Sequence, residues 1–237
     1  MALKAAFFDL DDTLCDDATA WTVCALKAAQ EGARRWPELD AARLSRAFLA
    51  ISEHYWTSLD PMRETRPIRH VRALQWRQAL AQCGCADTEE RGETLSDAYG
   101  KRRITEIALF PDALPTLAAL RARGVQVGLI TNGLQTTHIE KIAHLDLEAH
   151  CDHVVIAGVL GQFKPDARIF EHALALCGAR AGEAVMIGDD LQNDIAGAQS
   201  AGIRAVWYNP SGKPAPQDAP KPQGGEIRRL RDVLERV

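Results

Sequence analysis

Short apolar runs recur along the chain, and in its second half amphipathic stretches separate them. The apolar runs cover residues 3–8, 125–130, 153–157, 184–187 and 204–208. Each has the length of a buried parallel strand, and the four later runs contain β-branched residues. The stretches between the later runs have helical periodicity, at residues 111–123, 135–145, 166–177 and 194–201. Strands that alternate with helices predict an α/β fold with a Rossmann-like, doubly wound parallel sheet.

Between residues 16 and 105 the pattern changes, because amphipathic stretches follow one another without a convincing strand. This segment predicts four helices, at residues 18–35, 41–57, 68–83 and 89–103. We therefore expect a helical cap domain at residues 16–105, placed over the carboxyl edge of the sheet. We expect residues 1–15 and 106–237 to form the Rossmann-like catalytic core. Four tryptophans are expected to pack inside the cap: Trp21, Trp36, Trp56 and Trp76.

The C-terminal part of the chain is predicted to be less regular. Residues 209–225 contain five prolines and three glycines, which predicts an irregular surface segment. A last helix is expected after this segment, at residues 226–236.

Composition and charge exclude several classes of protein. Of the 237 residues, 46% are hydrophobic and 25% are charged, as in ordinary globular proteins, and no apolar stretch approaches the length of a membrane helix. There is no signal-peptide pattern, so the expected location is cytoplasmic. The net charge of −4 and the lack of a long basic run argue against nucleic acid as a partner. No heptad repeat decides the oligomeric state, and the six cysteines are expected to be reduced thiols.

The first apolar run ends in an acid pair, Asp9 and Asp11, which is followed by Asp12 and Thr13. Residues two apart on a strand share a face, so both carboxylates are expected beyond the carboxyl end of the strand. At a separation of about 4 Å, two like charges repel by about 4 kcal/mol at an effective dielectric of 20, so the pair needs a cation or a shared proton. The alternative is a strand-end turn or a helix cap, where aspartate is common.

Polar residues also follow three later strands. Thr131-Asn132-Gly133 offers a hydroxyl and backbone N–H groups that suit phosphate oxygens. Lys164, before Pro165, is placed to neutralise a phosphoryl group. A segment dense in carboxylates, from Gly188 to Asp194, follows the fourth strand, and a hard cation such as Mg²⁺ would make that density tolerable.

In this order the four motifs D-L-D-D-T, T-N-G, K-P and G-D-D-x-x-N-D resemble those of the haloacid dehalogenase-like hydrolase superfamily. The resemblance extends over residues 7–194, and the helical insert resembles that of members with an α-helical cap. The stretches T-N-G-x-x-x-x-x-x-x-K-I and G-D-D-x-x-N-D-I are similar to those of nucleotide and acylneuraminate phosphatases.

The resemblance implies a Mg²⁺-dependent phosphatase that hydrolyses a small phosphorylated metabolite through an aspartyl phosphate. Asp9 would be the nucleophile, and Asp11 the general acid and then the general base. Mg²⁺ would be held by the Asp9 carboxylate, the Asp11 backbone carbonyl and Asp189. Thr131 and Lys164 would hold the remaining phosphoryl oxygens, and Asn132 and Gly133 would complete the substrate-binding site. Asp194 would position Lys164 or a metal-bound water.

Other interpretations stay open at this point. A sugar phosphomutase of the same fold would keep both aspartates and the metal. The dehalogenase branch attacks carbon and usually has an aromatic residue where Asp11 stands. A response-regulator receiver domain carries its phosphoacceptor at the end of the third strand, where this chain has Ala157-Gly158. A non-catalytic scaffold would have lost at least one motif. One departure is Asp190, since related motifs often have a small hydroxyl residue there.

Overall fold

The computed structural model describes residues 2–59, 64 and 66–237. The chain divides into two compact units, one formed by Met1–Asp16 with Ala108–Val237 and the other by Asp17–Ile107. The division expected from the sequence assigns only residues 16, 106 and 107 differently. The roles of the two units as catalytic core and cap remain predictions.

Four helices form the second unit: α1 (Asp17–Arg35), α2 (Ala41–Ser58), α3 (Ile68–Gln82) and α4 (Glu89–Thr105). Helix α2 begins after Asp40, whose side chain accepts hydrogen bonds from the N–H groups of Ala42 and Arg43 and so caps the first turn. The four helices predicted for this segment are confirmed. Within the described residues, no helix combines the length and the apolar character needed to cross a bilayer.

An aromatic cluster lies in the core of the helical unit. The rings of Phe48 and Trp76 stack with centroids 3.9 Å apart, and Tyr99 meets Phe48 edge-on at 5.0 Å. Trp76 is fully buried. Trp21 and Trp36 are partly buried against the same cluster, whereas Trp56 is 39% exposed. The prediction of tryptophans packed in a helical core is therefore confirmed for Trp76 and wrong for Trp56.

The other unit is built on a six-stranded parallel sheet with the strand order 3-2-1-4-5-6. Its strands are β1 (Ala5–Phe8), β2 (Gln126–Thr131), β3 (His153–Ile156), β4 (Ala184–Gly188), β5 (Arg204–Tyr208) and β6 (Glu226–Ile227). This is the doubly wound Rossmann order, and it confirms the predicted fold class. The order reverses between β1 and β4. Their carboxyl ends therefore border the crevice where open α/β sheets bind ligands.

Both faces of the sheet are buried. The connecting helices are α5 (Ala113–Ala122), α6 (Gln135–His144), α7 (Ala157–Leu160), α8 (Ala167–Cys177) and α9 (Gly197–Ser200). On one face Phe7 and Met186 pack with Phe170 of α8. On the opposite face Phe8 and Ile187 are also fully buried. Burial on both sides explains why the strands are continuous apolar runs in the sequence rather than alternating ones.

Two predicted elements differ from the structure. The helix expected at residues 226–236 is wrong, because Glu226–Ile227 pairs with β5 as strand β6 and Leu230–Glu235 forms a 3₁₀ helix. Leu230 and Val233 are buried, and a three-residue spacing suits a 3₁₀ turn as well as an α-helix. The helix expected at residues 194–201 begins earlier, as a π-helical segment at Leu191–Ala196 that continues into α9.

Replacing Trp76, the buried aromatic residue at the centre of the helical unit, should destabilise the protein strongly. For Trp76→Ala we expect a loss of about 3–5 kcal/mol in the free energy of unfolding, since a large buried ring leaves a cavity. The matched control is Trp56→Ala, which removes the same side chain from the surface of the same unit and should cost about 1 kcal/mol or less. Urea unfolding followed by circular dichroism measures both, and equal losses would contradict the assigned core.

Candidate active site

Asp9 is the first residue after β1, and its position is fixed through the neighbouring strand. Its backbone N–H donates to the carbonyl of Ile187 in β4 at 3.0 Å. The chain then turns sharply, with the N–H of Leu14 donating to the carbonyl of Leu10 at 2.9 Å. Asp12 takes up a left-handed conformation, with φ of 58°, which aspartate tolerates better than most residues. The turn keeps Asp9 and Asp11 at the carboxyl edge of the sheet.

Thr13 ties this turn to the segment after β4. Its hydroxyl donates to Asp189 Oδ1 at 3.0 Å and accepts from the Asp189 backbone N–H, also at 3.0 Å. Thr13 is fully buried. Because one hydroxyl bonds both to the backbone and to the carboxylate of Asp189, it orients that carboxylate as well as joining the two loops.

The Lys164 ammonium is buried among carboxylates of the site. Its Nζ donates to Asp9 Oδ1 at 2.5 Å, to Asp194 Oδ1 at 2.6 Å and to the carbonyl oxygen of Ile130 at 3.0 Å. An ammonium has three donors, so every one of them is used. Burial alone would lower the pKa of Lys164, but Asp194 and Asp9 raise it above its ordinary value, so this lysine stays charged.

The T-N-G segment supports this lysine. Thr131 is the last residue of β2 and is buried. The Asn132 side chain donates to the Lys164 carbonyl at 2.8 Å and accepts from the Lys164 N–H at 2.7 Å, so it holds the lysine backbone in place. At Gly133 a Cβ atom would lie 1.8 Å from the His138 ring, which explains the glycine. Direct contacts of these three residues with a substrate remain predictions.

Three carboxylates converge beside Lys164. Asp9, Asp189 and Asp194 can each offer an oxygen, and the three oxygens lie within 4.8 Å of one another. Three negative charges against one ammonium leave a deficit of two positive charges. An oxygen-only donor set with that charge deficit fits one hard divalent cation. Asp194, expected as a supporting residue, is thus also a candidate ligand, while the expected contribution of the Asp11 carbonyl remains a prediction.

The pKa values of the carboxyl groups in the cluster are raised, as expected where negative charges outnumber positive ones. Burial raises the pKa of Asp9 well above its usual range, and Asp194 and Asp189 add to that rise against the opposing effect of Lys164. Burial, together with Asp194, raises the pKa of Asp189 to about 7. Without a cation the full set of ionised carboxylates is therefore costly, and a bound cation would remove that cost.

The backbone around β4 is shaped to admit Asp194. A Cβ atom at Gly188 would lie 2.2 Å from Asp194 Oδ2, so a larger residue would displace this carboxylate. The same oxygen accepts from the Asp190 N–H at 3.1 Å. The Asp190 side chain accepts from the N–H groups of Gln192 and Asn193 and caps the π-helical segment. Its carboxylate thus starts this helix, at the position where related motifs often have a hydroxyl.

Comparison with known proteins identifies the family. Residues 3–202 match the family model described as haloacid dehalogenase-like hydrolase. The chain belongs to this family. Its sequence is 37% identical over 156 residues to a phosphoserine phosphatase of Thermus thermophilus, a match that covers 65% of this chain and 61% of that protein. It is 31% identical to the N-acylneuraminate-9-phosphatase of Mus musculus, over 93% of this chain and 88% of that protein.

A solved structure supports the fold of this haloacid dehalogenase-like hydrolase. The 2-haloacid dehalogenase from Pseudomonas syringae pv. Tomato DC3000 superposes with a TM-score of 0.66 at 31% identity, covering 99% of this chain and 97% of that one. The resemblance seen in the four sequence motifs is confirmed. Phosphatases and a dehalogenase both stand among its relatives, so the choice between these reactions depends on the residues of the site.

Two residues in contact with Asp11 were assigned no role from the sequence. Lys141 Nζ donates to Asp11 Oδ1 at 2.5 Å, and His138 Nε2 lies 3.1 Å from Asp11 Oδ2. Burial would raise the pKa of Asp11, but Lys141 and His138 lower it well below its usual range. Lys141 is the lysine of the T-N-G-x-x-x-x-x-x-x-K-I stretch. The sequence signal that could have linked Lys141 to His138 is their spacing, because residues three apart on α6 share one face of the helix.

The Thr13 hydroxyl offers a direct test of the link between the two loops. Thr13→Val keeps the shape of the side chain but leaves the buried Asp189 N–H and carboxylate without this partner, so we expect a loss of about 1–3 kcal/mol in the free energy of unfolding. The matched control is Thr22→Val, where an exposed hydroxyl bonds to carbonyls of its own helix. That change should stay within about 0.5 kcal/mol. Denaturant titration measures both, and an equally small change at Thr13 would contradict its bridging role.

Proposed function

We propose that this haloacid dehalogenase-like hydrolase is a Mg²⁺-dependent phosphatase that hydrolyses small phosphomonoesters through an aspartyl phosphate on Asp9. The observation that carries the proposal is the convergence of Asp9, Asp189 and Asp194 around Lys164 at the point where the strand order reverses. The names of the two phosphatase relatives support a phosphorylated metabolite as the substrate.

The donor set suits Mg²⁺. Asp9 and Asp189 would hold the ion by their carboxylates and Asp11 by its backbone carbonyl, with Asp194 as a ligand or as the partner of a bound water. When bound, the ion would screen the repulsion between the Asp9 carboxylate and the phosphoryl oxygens and stabilise charge in the transition state. Mg²⁺ rather than a softer metal fits a set made only of oxygen donors.

The chain's own residues account for both halves of the proposed reaction. An Asp9 carboxylate oxygen attacks phosphorus, and the bond from phosphorus to the ester oxygen breaks while Asp11 gives that oxygen a proton. Because Lys141 and His138 keep Asp11 ionised before the substrate binds, Asp11 would take up this proton together with the negatively charged substrate. Water then attacks the aspartyl phosphate and loses a proton to Asp11. The bond between phosphorus and Asp9 breaks, inorganic phosphate is released, and Asp11 is protonated again for the next cycle.

Thr131 and Lys164 would hold the remaining phosphoryl oxygens, and Lys164 would do so with the N–H that faces Asp9 before the substrate binds. The Lys164 ammonium already lies within hydrogen-bond distance of the Asp9 oxygen, so it is placed beside the bond that would form. A group that is fixed before the substrate arrives needs little rearrangement as charge develops, which is the main source of electrostatic catalysis. The Asn132 contacts to the Lys164 backbone would preserve this geometry during turnover.

Specific residues weigh against the other reactions. Attack on carbon with halide as leaving group needs no general acid, and the Asp11 carboxylate with its two contacts from α6 would then have no purpose. A receiver-type switch needs a phosphoacceptor after β3, where Ala157 and Gly158 stand. A sugar phosphomutase keeps the same residues. It differs in returning the phosphoryl group to a sugar hydroxyl, so release of inorganic phosphate distinguishes the two.

Removing the proposed nucleophile should stop turnover. Asp9→Asn keeps the shape of the side chain but not its charge, and we expect hydrolysis of p-nitrophenyl phosphate in Mg²⁺ to fall at least about a thousandfold. Asp166→Asn changes a partly exposed aspartate that caps α8 and should leave the rate unchanged. Release of p-nitrophenolate and of inorganic phosphate measures both variants. Turnover by Asp9→Asn at a rate near that of the unchanged protein would refute the nucleophile assignment.

Metal binding should depend on pH through Asp189. Its pKa is raised to about 7 from an ordinary value of 3.8, so the folded protein holds a proton there that the unfolded chain has already released. The free energy of unfolding of the metal-free protein should therefore fall as the pH rises from 3.8 to about 7. The proton on Asp189 must also leave before a cation binds there. Below pH 7 we expect Mg²⁺ affinity to fall by up to about tenfold per pH unit.

Thermal melting at several pH values between 5 and 8, with Mg²⁺ or with chelator, measures this dependence. The rise in Tm caused by Mg²⁺ should be larger at pH 8 than at pH 5.5. Asp189→Asn is the control, because it removes a proposed ligand and should abolish most of the Mg²⁺ effect on Tm at both pH values. A Mg²⁺ effect on Tm that is the same at all pH values would contradict the assignment of Asp189 as a ligand.

A further inference from the structure

The Asp11 carboxylate is held by two residues of α6, one at each oxygen. Lys141 donates to Oδ1 at 2.5 Å, and His138 Nε2 lies 3.1 Å from Oδ2. We infer that Lys141 and His138 are positioning residues that fix the orientation of Asp11 for its proton transfers. The inference rests on the proposed function, because it gives these two residues a purpose in that same reaction.

Lys141 is held where a lysine is costly unless it is paired. Its side chain is 9% exposed, while lysines are rarely buried to this degree. The contact with Asp11 offsets the cost of taking the ammonium out of water. A lysine needed only for solubility or for helix stability would lie at the surface. Its burial against Asp11 indicates that the contact itself is the reason for its position.

His138 is fixed on several sides of its ring. Its Nδ1 lies 3.1 Å from the hydroxyl of Thr137, and its ring occupies the space that a Cβ atom at Gly133 would need. The side chain is 10% exposed. With the ring held in this way, Nε2 remains aimed at Asp11. The glycine of the T-N-G motif therefore contributes to the geometry of Asp11 by leaving room for this histidine.

The fold brings α6 to Asp11. Strand β2 pairs directly with β1, and α6 begins a few residues after β2 ends. His138 and Lys141 are three residues apart and thus share the helix face that contacts Asp11. Asp11 itself lies on a turn, where a side chain has more rotational freedom than on a strand. Contacts from a helix supply the rigidity that the turn lacks.

The arrangement leaves Asp11 able to react. Each carboxylate oxygen has two lone pairs, and Lys141 and His138 each contact a different oxygen. Oδ1 also accepts from the Cys15 thiol at 3.7 Å, so the lone pair that remains for the proton of a water or an alcohol lies on Oδ2. Two charge-assisted contacts fix the plane of the carboxylate without occupying all of its acceptor sites.

A double-mutant cycle tests whether Lys141 acts through Asp11. In the unchanged protein, Lys141→Met keeps the length of the side chain but removes the donor, and we expect kcat for p-nitrophenyl phosphate to fall about tenfold or more with KM changed less than about twofold. In an Asp11→Asn background the same change should lower kcat less than about twofold, because the group it positions is already altered. Lys141→Arg, which keeps the charge, should recover part of the loss.

Further variants separate the positioning role from a general effect on the fold. His138→Phe keeps a ring next to Gly133 but removes the nitrogen that faces Asp11, so it should lower kcat less than Lys141→Met and also lose its effect in the Asp11→Asn background. Lys221→Met removes an exposed lysine and should leave kcat and KM unchanged. If the loss of kcat in a double variant equals the product of the losses in the two single variants, the positioning role is overturned. A rise in KM with kcat unchanged would overturn it as well.

The outcome can be distinguished from a failure of the proposed function. If the unchanged protein does not hydrolyse phosphomonoesters in Mg²⁺, the phosphatase proposal fails, and the same cycle is then evaluated through Tm. Shifts in Tm for Lys141→Met and Asp11→Asn that are not additive would still support the positioning contact. Additive shifts would overturn it, since residues that do not interact change stability independently.

Discussion

The contact on which the site depends is the buried Lys164 ammonium between Asp9 and Asp194. A charged lysine in such a place is stable only because every donor is used and two carboxylates surround it. Its backbone is held by Asn132, and one of its acceptors is the carbonyl of Ile130 in β2. Loss of this lysine would leave two buried carboxylates facing each other, so the local structure and the proposed chemistry rely on the same ion pairs.

The strand order explains why these groups meet. Because β1 lies between β2 and β4, three loops that are distant in sequence end at one crevice. Thr13 joins the loops after β1 and β4, and the space at Gly188 lets the Asp194 carboxylate approach. The cluster that results has two more negative charges than positive ones, which is the charge of one divalent cation. Structure and charge thus support the same proposed function.

The sequence predicted the parts of the site that depend on strand ends. Apolar runs followed by polar residues located Asp9, Thr131 and Asp189, because the carboxyl ends of parallel strands share one edge. Contacts between side chains far apart in sequence were not readable in this way. Thr13 with Asp189, and Lys141 with Asp11, are separated by more than a hundred residues, and periodicity contains no information on which pairs meet. The C-terminal strand was missed for the same reason, because only its pairing with β5 distinguishes it from a helix.

The most direct test of the central claim, that Asp9 and Asp189 share one divalent ion, is a crystal structure with Mn²⁺ in place of Mg²⁺. Mn²⁺ prefers the same oxygen ligands and gives an anomalous signal. The account predicts a single strong anomalous peak in contact with carboxylate oxygens of Asp9 and Asp189. A peak at another place, or crystals grown in Mn²⁺ with no peak between these two residues, would contradict it.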